Sequence, residues 1–155
     1  MRTIKFRGKD IVTGKWMYGN LFQGKRQGEN YAVILIDKRY VHEVKLPEDI
    51  PFGFYKDEIT IVYPNTVGQF TGLFDKEGKE IYEGDILVWD ENGYKSPPLI
   101  VIFKFGSFGY IYIEDWFHSF AGNVNFTFNP LNTDVRFEII GNIHDTPKLQ
   151  EGGAE

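Results

Sequence analysis

Acidic residues fall in neighbouring pairs, Glu48-Asp49, Asp57-Glu58, Asp90-Glu91 and Glu114-Asp115. Acid–base or glycosidic chemistry needs two carboxylates facing each other across a cleft, one of them with a raised pKa. Sequence neighbours on a strand point apart, so these pairs read as solvated turn acids. The histidines, His42, His118 and His144, are too widely spaced for a zinc-binding run. His118 follows Asp115 by three residues, the helical spacing at which a carboxylate can orient an imidazole. No nucleophile motif accompanies it, although Ser119 is adjacent. The stretch Asp75-Lys76-Glu77-Gly78-Lys79-Glu80 has the acids of a calcium loop but places its glycine too early for one, and it reads as a hairpin tip. Gly106-Ser107-Phe108-Gly109 is too short for a phosphate-binding loop and reads as a hairpin turn. The chain has no cysteine, which removes disulfides, thiolate metal sites, thiol nucleophiles and Cys-held iron–sulfur clusters. No catalytic, cofactor-binding or metal-ligating residue is assigned, and the chain reads as non-enzymatic.

Basic residues offer a different chemistry. Residues 1–45 hold 10 Lys+Arg and 4 Asp+Glu, a net of +6, whereas residues 46–155 hold 7 and 18, a net of −11. The formal charge of −5 is therefore an average over two opposite halves. Lys5, Arg7, Lys9, Lys15, Lys25, Arg26, Lys38 and Arg39 accompany Trp16, Tyr18, Tyr31 and Tyr40. If several lie on one face they form the basic, aromatic groove with which small β-barrels bind single-stranded nucleic acid. Alternation instead puts many of the rings on core faces, and the acidic remainder repels phosphate. The same polarity suits self-association, in which a basic half meets a neighbour's acidic half in a head-to-tail contact.

The elements that would position these residues are strands. Alanine occurs only at Ala32, Ala121 and Ala154, while Phe, Tyr, Ile and Val are plentiful among 17 glycines and 7 prolines. That is the composition of short strands joined by tight turns. Strand patterns run through Thr3–Arg7, Lys15–Phe22, Tyr31–Ile36, Ile59–Tyr63, Ile86–Trp89, Leu99–Phe105, Gly109–Ile113, Val124–Phe128 and Val135–Ile139. Turns are expected at Thr13-Gly14-Lys15, Gly24–Asn30, Asp75–Lys79 and Asp90–Gly93. In the first of these, Arg7 and Asp10 are placed to pair. Ile113–Ala121 is a short helix candidate, with a weaker one at Pro47–Phe52.

The fold class is mostly β, as two small β subdomains with one or two short helical insertions. The first, basic subdomain covers 1–70, the second, acidic one 71–147, and 148–155 forms a flexible tail. The second has the strand count of an SH3-like or related barrel. No signal peptide is visible, and the longest apolar run, Leu99–Phe105, is far too short to cross a membrane. A cytoplasmic location without membrane association is expected.

Three segments carry a family resemblance. They are Ile4–Asp10 with Thr13–Gly19, then Thr66–Asp85 (Thr-Val-Gly-Gln-Phe-Thr-Gly-Leu-Phe-Asp-Lys-Glu-Gly-Lys-Glu-Ile-Tyr-Glu-Gly-Asp), and finally Glu138–His144. Together they resemble the YopX family, small proteins encoded by phages and prophages. The resemblance implies a mostly β protein in that setting and carries over no catalytic residue. Its motif glycines, among them Gly8, Gly14, Gly19, Gly72, Gly78, Gly84 and Gly141, are expected at strand ends and turns. The function expected is that of a self-associating binding module without cofactor, its partner a second copy or an unnamed host or phage protein. The alternative is a single-stranded nucleic-acid binder using the basic half, and a hydrolase comes third.

Overall fold

A chain rich in β-branched and aromatic residues and poor in alanine favours strands, and their backbone groups then find partners between neighbouring strands. The computed structural model describes residues 3–36, 59–91, 93–113, 127–132 and 136–145, the side chains of Arg26, Asp90 and Glu91 excepted. Both helix candidates lie outside the described residues apart from Ile113, as do the 148–155 tail and Val124–Phe126. The described residues form a mostly β protein with two antiparallel sheets. The chain divides into two units, Met1–Phe70 and Thr71–Glu155. No helix among the described residues is long and apolar enough to cross a membrane.

The first unit is a meander of β1 (Phe6–Lys9), β2 (Trp16–Arg26), β3 (Glu29–Ile36) and β4 (Ile59–Val62), to which β5 (Gly68–Phe74) adds beside β1. Within this unit the strand order is β4-β3-β2-β1-β5. Gly24–Asn30 is not an open loop. β2 and β3 pair until Arg26 meets Glu29, and the reversal is the two-residue turn Gln27-Gly28, with φ of 52° and 89°. Ladder hydrogen bonds use only the backbone, so polar residues prolong a hairpin that the hydrophobic pattern ends early. One face of the sheet carries Met17, Ala32, Ile34, Ile36 and Val62, with Phe6, Leu21 and Val67 packed against them. Gly8 and Gly19 lie inside strands rather than at their ends. A Cβ at Gly8 would strike the Val62 side chain, and one at Gly19 would fall on the Leu35 carbonyl. Pro64 ends β4 by starting a 3-10 turn, Pro64–Thr66, where its missing N–H costs nothing.

The second unit begins within β5, whose far end forms a hairpin with β6 (Glu80–Tyr82). Then follow β7 (Asp85–Glu91), β8 (Tyr94–Lys95), β9 (Leu99–Lys104), β10 (Ser107–Tyr112), β11 (Asn129–Pro130) and β12 (Phe137–Asn142). The sheet order is β11-β10-β9-β7-β12, with β8 pairing the end of β7. A register shift at Ile139/Gly141 marks a bulge in β12, which bends the strand. Both faces of this sheet are apolar. One carries Leu87, Leu99, Val101 and Phe137, the other Ile86, Ile100 and Ile111. The turn placed at Gly106–Gly109 lies two residues earlier. Phe105-Gly106 reverses the chain and Ser107 already pairs with Lys104.

Buried carboxylates hold the turns. Asp10 is buried, and the groups that act on its carboxyl are Thr60, Thr13 and Val12, where the sequence placed Arg7 as its partner. Its Oδ1 accepts the Val12 N–H at 3.1 Å, the Thr13 N–H at 2.6 Å and the Thr13 hydroxyl at 2.7 Å. Its Oδ2 accepts the Thr60 hydroxyl from β4. Burial pushes the Asp10 carboxyl up, but the donors from Thr60, Thr13 and Val12 together outweigh it and hold it below 3.8. The depressed folded value sets the sign. The stability Asp10 contributes is fully present above the ordinary value of 3.8 and is lost as pH falls through its lower folded value. Replacing Asp10 by Ala removes charge-assisted bonds and strands buried donors, so urea unfolding should show a loss of roughly 2–4 kcal/mol. The same substitution should flatten the decline in stability below pH 3.8. An unchanged midpoint would show that the turn does not depend on Asp10.

Candidate functional site

Strand alternation sends Phe6 and Gly8 to the core face and Lys5, Arg7 and Lys9 to the other. The cross-strand register then selects their neighbours. Lys9 lies opposite Trp16, and Arg7 lies opposite Tyr18. On the other side of β1, Phe70 donates its N–H to the Lys5 carbonyl at 2.8 Å. The Arg7 guanidinium sits 4.5 Å from the centre of the Trp16 ring, Lys9 Nζ sits 5.6 Å from the same ring, and Lys5 Nζ sits 5.8 Å from Phe70. A cation over an aromatic face is attracted by the ring quadrupole, more strongly when both are withdrawn from water. Arginine adds planar stacking, which lysine cannot.

Three of the eight basic residues singled out in the sequence are thus brought together. Lys5 and Arg7 are only 4% and 6% exposed, so they belong to a packed cation–aromatic layer and not to an open phosphate track. Lys15 and Lys25 are exposed. Lys25, an odd step from Trp16 along β2, faces the opposite side of the sheet. Lys38, Arg39 and the Arg26 side chain lie outside the described residues. So do His42, His118, Tyr40, and the side chains of all four acidic pairs. His144 is half-buried, and its backbone N–H donates to the Asn142 side chain at 2.9 Å. Among the described residues no group of three or more His, Asp or Glu could hold a metal ion.

A second cluster was hidden within the apolar run Leu99–Phe105. At the β9–β10 turn Phe105 is 80% exposed and Phe103 is 51% exposed. The Phe105 ring meets Phe128 edge-on at 5.6 Å, and Phe103 meets Phe108 at 5.0 Å. Lys104 Nζ lies 5.3 Å from the Phe105 ring centre. Phe128 is seated over Gly109, where any Cβ would collide with its ring. The run itself reads as a buried strand. The signal for an exposed tip was the Phe-Gly step, placed where a two-residue hairpin turn falls.

A protein-family model described as YopX protein matches residues 5–151. Among solved structures, protein EF1440 from Enterococcus faecalis is similar, with 22% sequence identity, a TM-score of 0.50, and coverage of 96% of this chain and 99% of that one. At that identity the likeness is one of fold. Comparison with curated proteins gives no match.

The layer has a direct consequence for stability. Trp16→Ala removes a half-buried ring that two cations flank, and urea unfolding should show a loss of about 2 kcal/mol, below the range for fully buried rings. Lys15→Ala and Lys25→Ala should stay within about 0.5 kcal/mol of the parent. Equal effects for the three would dissolve the distinction between layer and surface.

Proposed function

This chain belongs to the YopX family, whose model spans residues 5–151, and on that premise we propose that it is a non-enzymatic, self-associating interaction module acting in the cytoplasm of a bacterium that carries a phage or prophage. The observation that carries this reading is the exposure of large apolar side chains at turns of two otherwise well-packed β units. Val12 and Tyr63 are exposed near the first turn, and Phe103 and Phe105 at the β9–β10 turn. Apolar groups gathered in this way on a small protein mark interaction sites. The charge pattern supports the same reading, because a +6 segment and a −11 segment complement each other between copies.

The three buried acids support a structural and not a catalytic role for themselves. Asp10, Asp75 and Asp85 are buried and accept backbone N–H groups. A catalytic carboxylate needs a face open to substrate. The nucleic-acid reading retains Lys15 and Lys25, whereas Lys5 and Arg7 are withdrawn into the aromatic layer. Tracking a phosphate backbone takes several accessible cations on one face, each contributing to the salt dependence.

Light scattering at low salt across a concentration series tests the reading. A mass rising above the 18.0 kDa monomer is expected, falling back in part as salt is added. A strict monomer at every concentration would overturn self-association. Titration with a single-stranded oligonucleotide, followed by Trp fluorescence at low salt, should leave the emission unchanged. Salt-sensitive quenching would favour nucleic acid in its place.

A further inference from the structure

The geometry points to the β9–β10 tip as a contact through which one copy of this chain meets a second, with Phe105 as its anchor. The inference rests on the self-association reading and names its contact surface. Phe105 has a φ of 53° and is followed by Gly106 at 79°. A two-residue hairpin turn of this hand favours Asn-Gly or Asp-Gly, because both residues must adopt positive φ. A bulky residue there is an outlier, and such conformations cluster at sites of function. The ring is also 80% exposed, so burial within its own unit does not account for its presence. The position therefore carries two unfavourable features, backbone strain and a solvated aromatic ring, and contact with a partner relieves the second.

The shape of the tip selects the kind of partner. Phe103 shares a face with its cross-strand partner Phe108, whereas Phe105, turned out of the strand alternation by its positive φ, meets Phe128, which lies on the other face over Gly109. This is a convex wedge and not a cavity for a small molecule. Charge selects further. The fifteen residues Leu99–Ile113 contain no acid and one lysine, in a chain of net charge −5. Copies of an acidic protein repel one another least where they present such a segment. A single cation, Lys104, does not hold a polyanion to a molecule of that charge, which disfavours nucleic acid and anionic membrane. The exposed parts of two rings amount to roughly 250 Å² per copy, well below the roughly 800 Å² per partner of a standard interface. The tip alone therefore gives a weak, concentration-dependent contact that is insensitive to salt.

Phe105→Asn separates recognition from folding, because Asn-Gly is the preferred pair for this turn. Sedimentation and light scattering at about 0.5 M salt, where exposed charges are screened, should show the parent associating with concentration while the variant stays at monomer mass. Its Tm should hold or rise by a few degrees. Phe105→Asp, also compatible with the turn, should abolish association as well. A variant that associates as the parent does, or a parent that associates only at low salt, overturns the tip contact and leaves self-association standing. A parent that is monomeric at both salts overturns both. A fall in Tm of more than about 5 °C in both variants would make Phe105 a structural residue and overturn the proposal. Tip-dependent binding of neutral lipid vesicles or an oligonucleotide, with no self-association, would also overturn it.

Discussion

Backbone N–H groups at tight turns need acceptors, and in this chain buried aspartates supply them. Asp10, Asp75 and Asp85 are 3%, 8% and 2% exposed. A carboxylate buried without donors would be costly, but each of these is met by N–H groups that the turn itself leaves unpaired. Asp75 Oδ1 accepts from Glu77 and Lys79, both at 2.9 Å, which closes the β5–β6 hairpin. Asp85 Oδ2 accepts from Tyr82 at 2.8 Å, which fixes the step from β6 to β7. Asp10 does the same between β1 and β2 and adds Thr60 from β4. A sheet of short strands depends on its turns for register, and these acids set the turns.

The hairpin closed by Asp75 has a further structural role. Lys76 donates its N–H to the Phe137 carbonyl at 2.7 Å, and the Ile139 N–H points to Asp75 Oδ2 at 3.4 Å. Lys76 Nζ also lies 2.7 Å from Glu138, whose carboxyl is held below its ordinary value by that hydrogen bond and by the charges of Lys76 and Lys95. The tip thereby covers the outer edge of β12, which would otherwise offer unpaired groups to another strand. Two sequence segments sixty residues apart, around Asp75 and around Glu138, belong to one contact within the second unit. Their joint appearance in the sequence therefore has a structural cause.

Much of this was legible from residue types. Alternation identified most strands, Thr13-Gly14 and Asp75–Lys79 marked turns that the structure contains, and near Asp90–Gly93 β7 and β8 pair with Glu91 opposite Tyr94. The errors have a common origin. Hairpin ends such as Lys25-Arg26 and Glu29-Asn30 pair through backbone alone and carry no hydrophobic signal. Phe105 satisfies a strand pattern while occupying a turn, because hydrophobicity does not report φ. Lys5 and Arg7 alternate with apolar neighbours and so read as solvent-facing, yet both are buried. Their partners, Phe70 and Trp16, are fixed by strand register, which one sequence does not display.

Net charge by segment is likewise a poor guide to surface potential. The basic character of residues 1–45 includes two cations withdrawn from water, and the acidity of the remainder includes Asp75 and Asp85, whose charges are absorbed by turn dipoles. Among the described residues, what reaches solvent is a more mixed surface than the counts of +6 and −11 suggest. In the proposed self-association, long-range steering between copies would be correspondingly weaker, and short-range apolar contact would gain in relative weight. On a framework three of whose acids and several of whose cations are engaged in holding strands and turns, the proposed self-association would fall to the side chains that the framework does not need. Phe105 is the clearest of them, since the turn that displays it would form more readily with asparagine in its place.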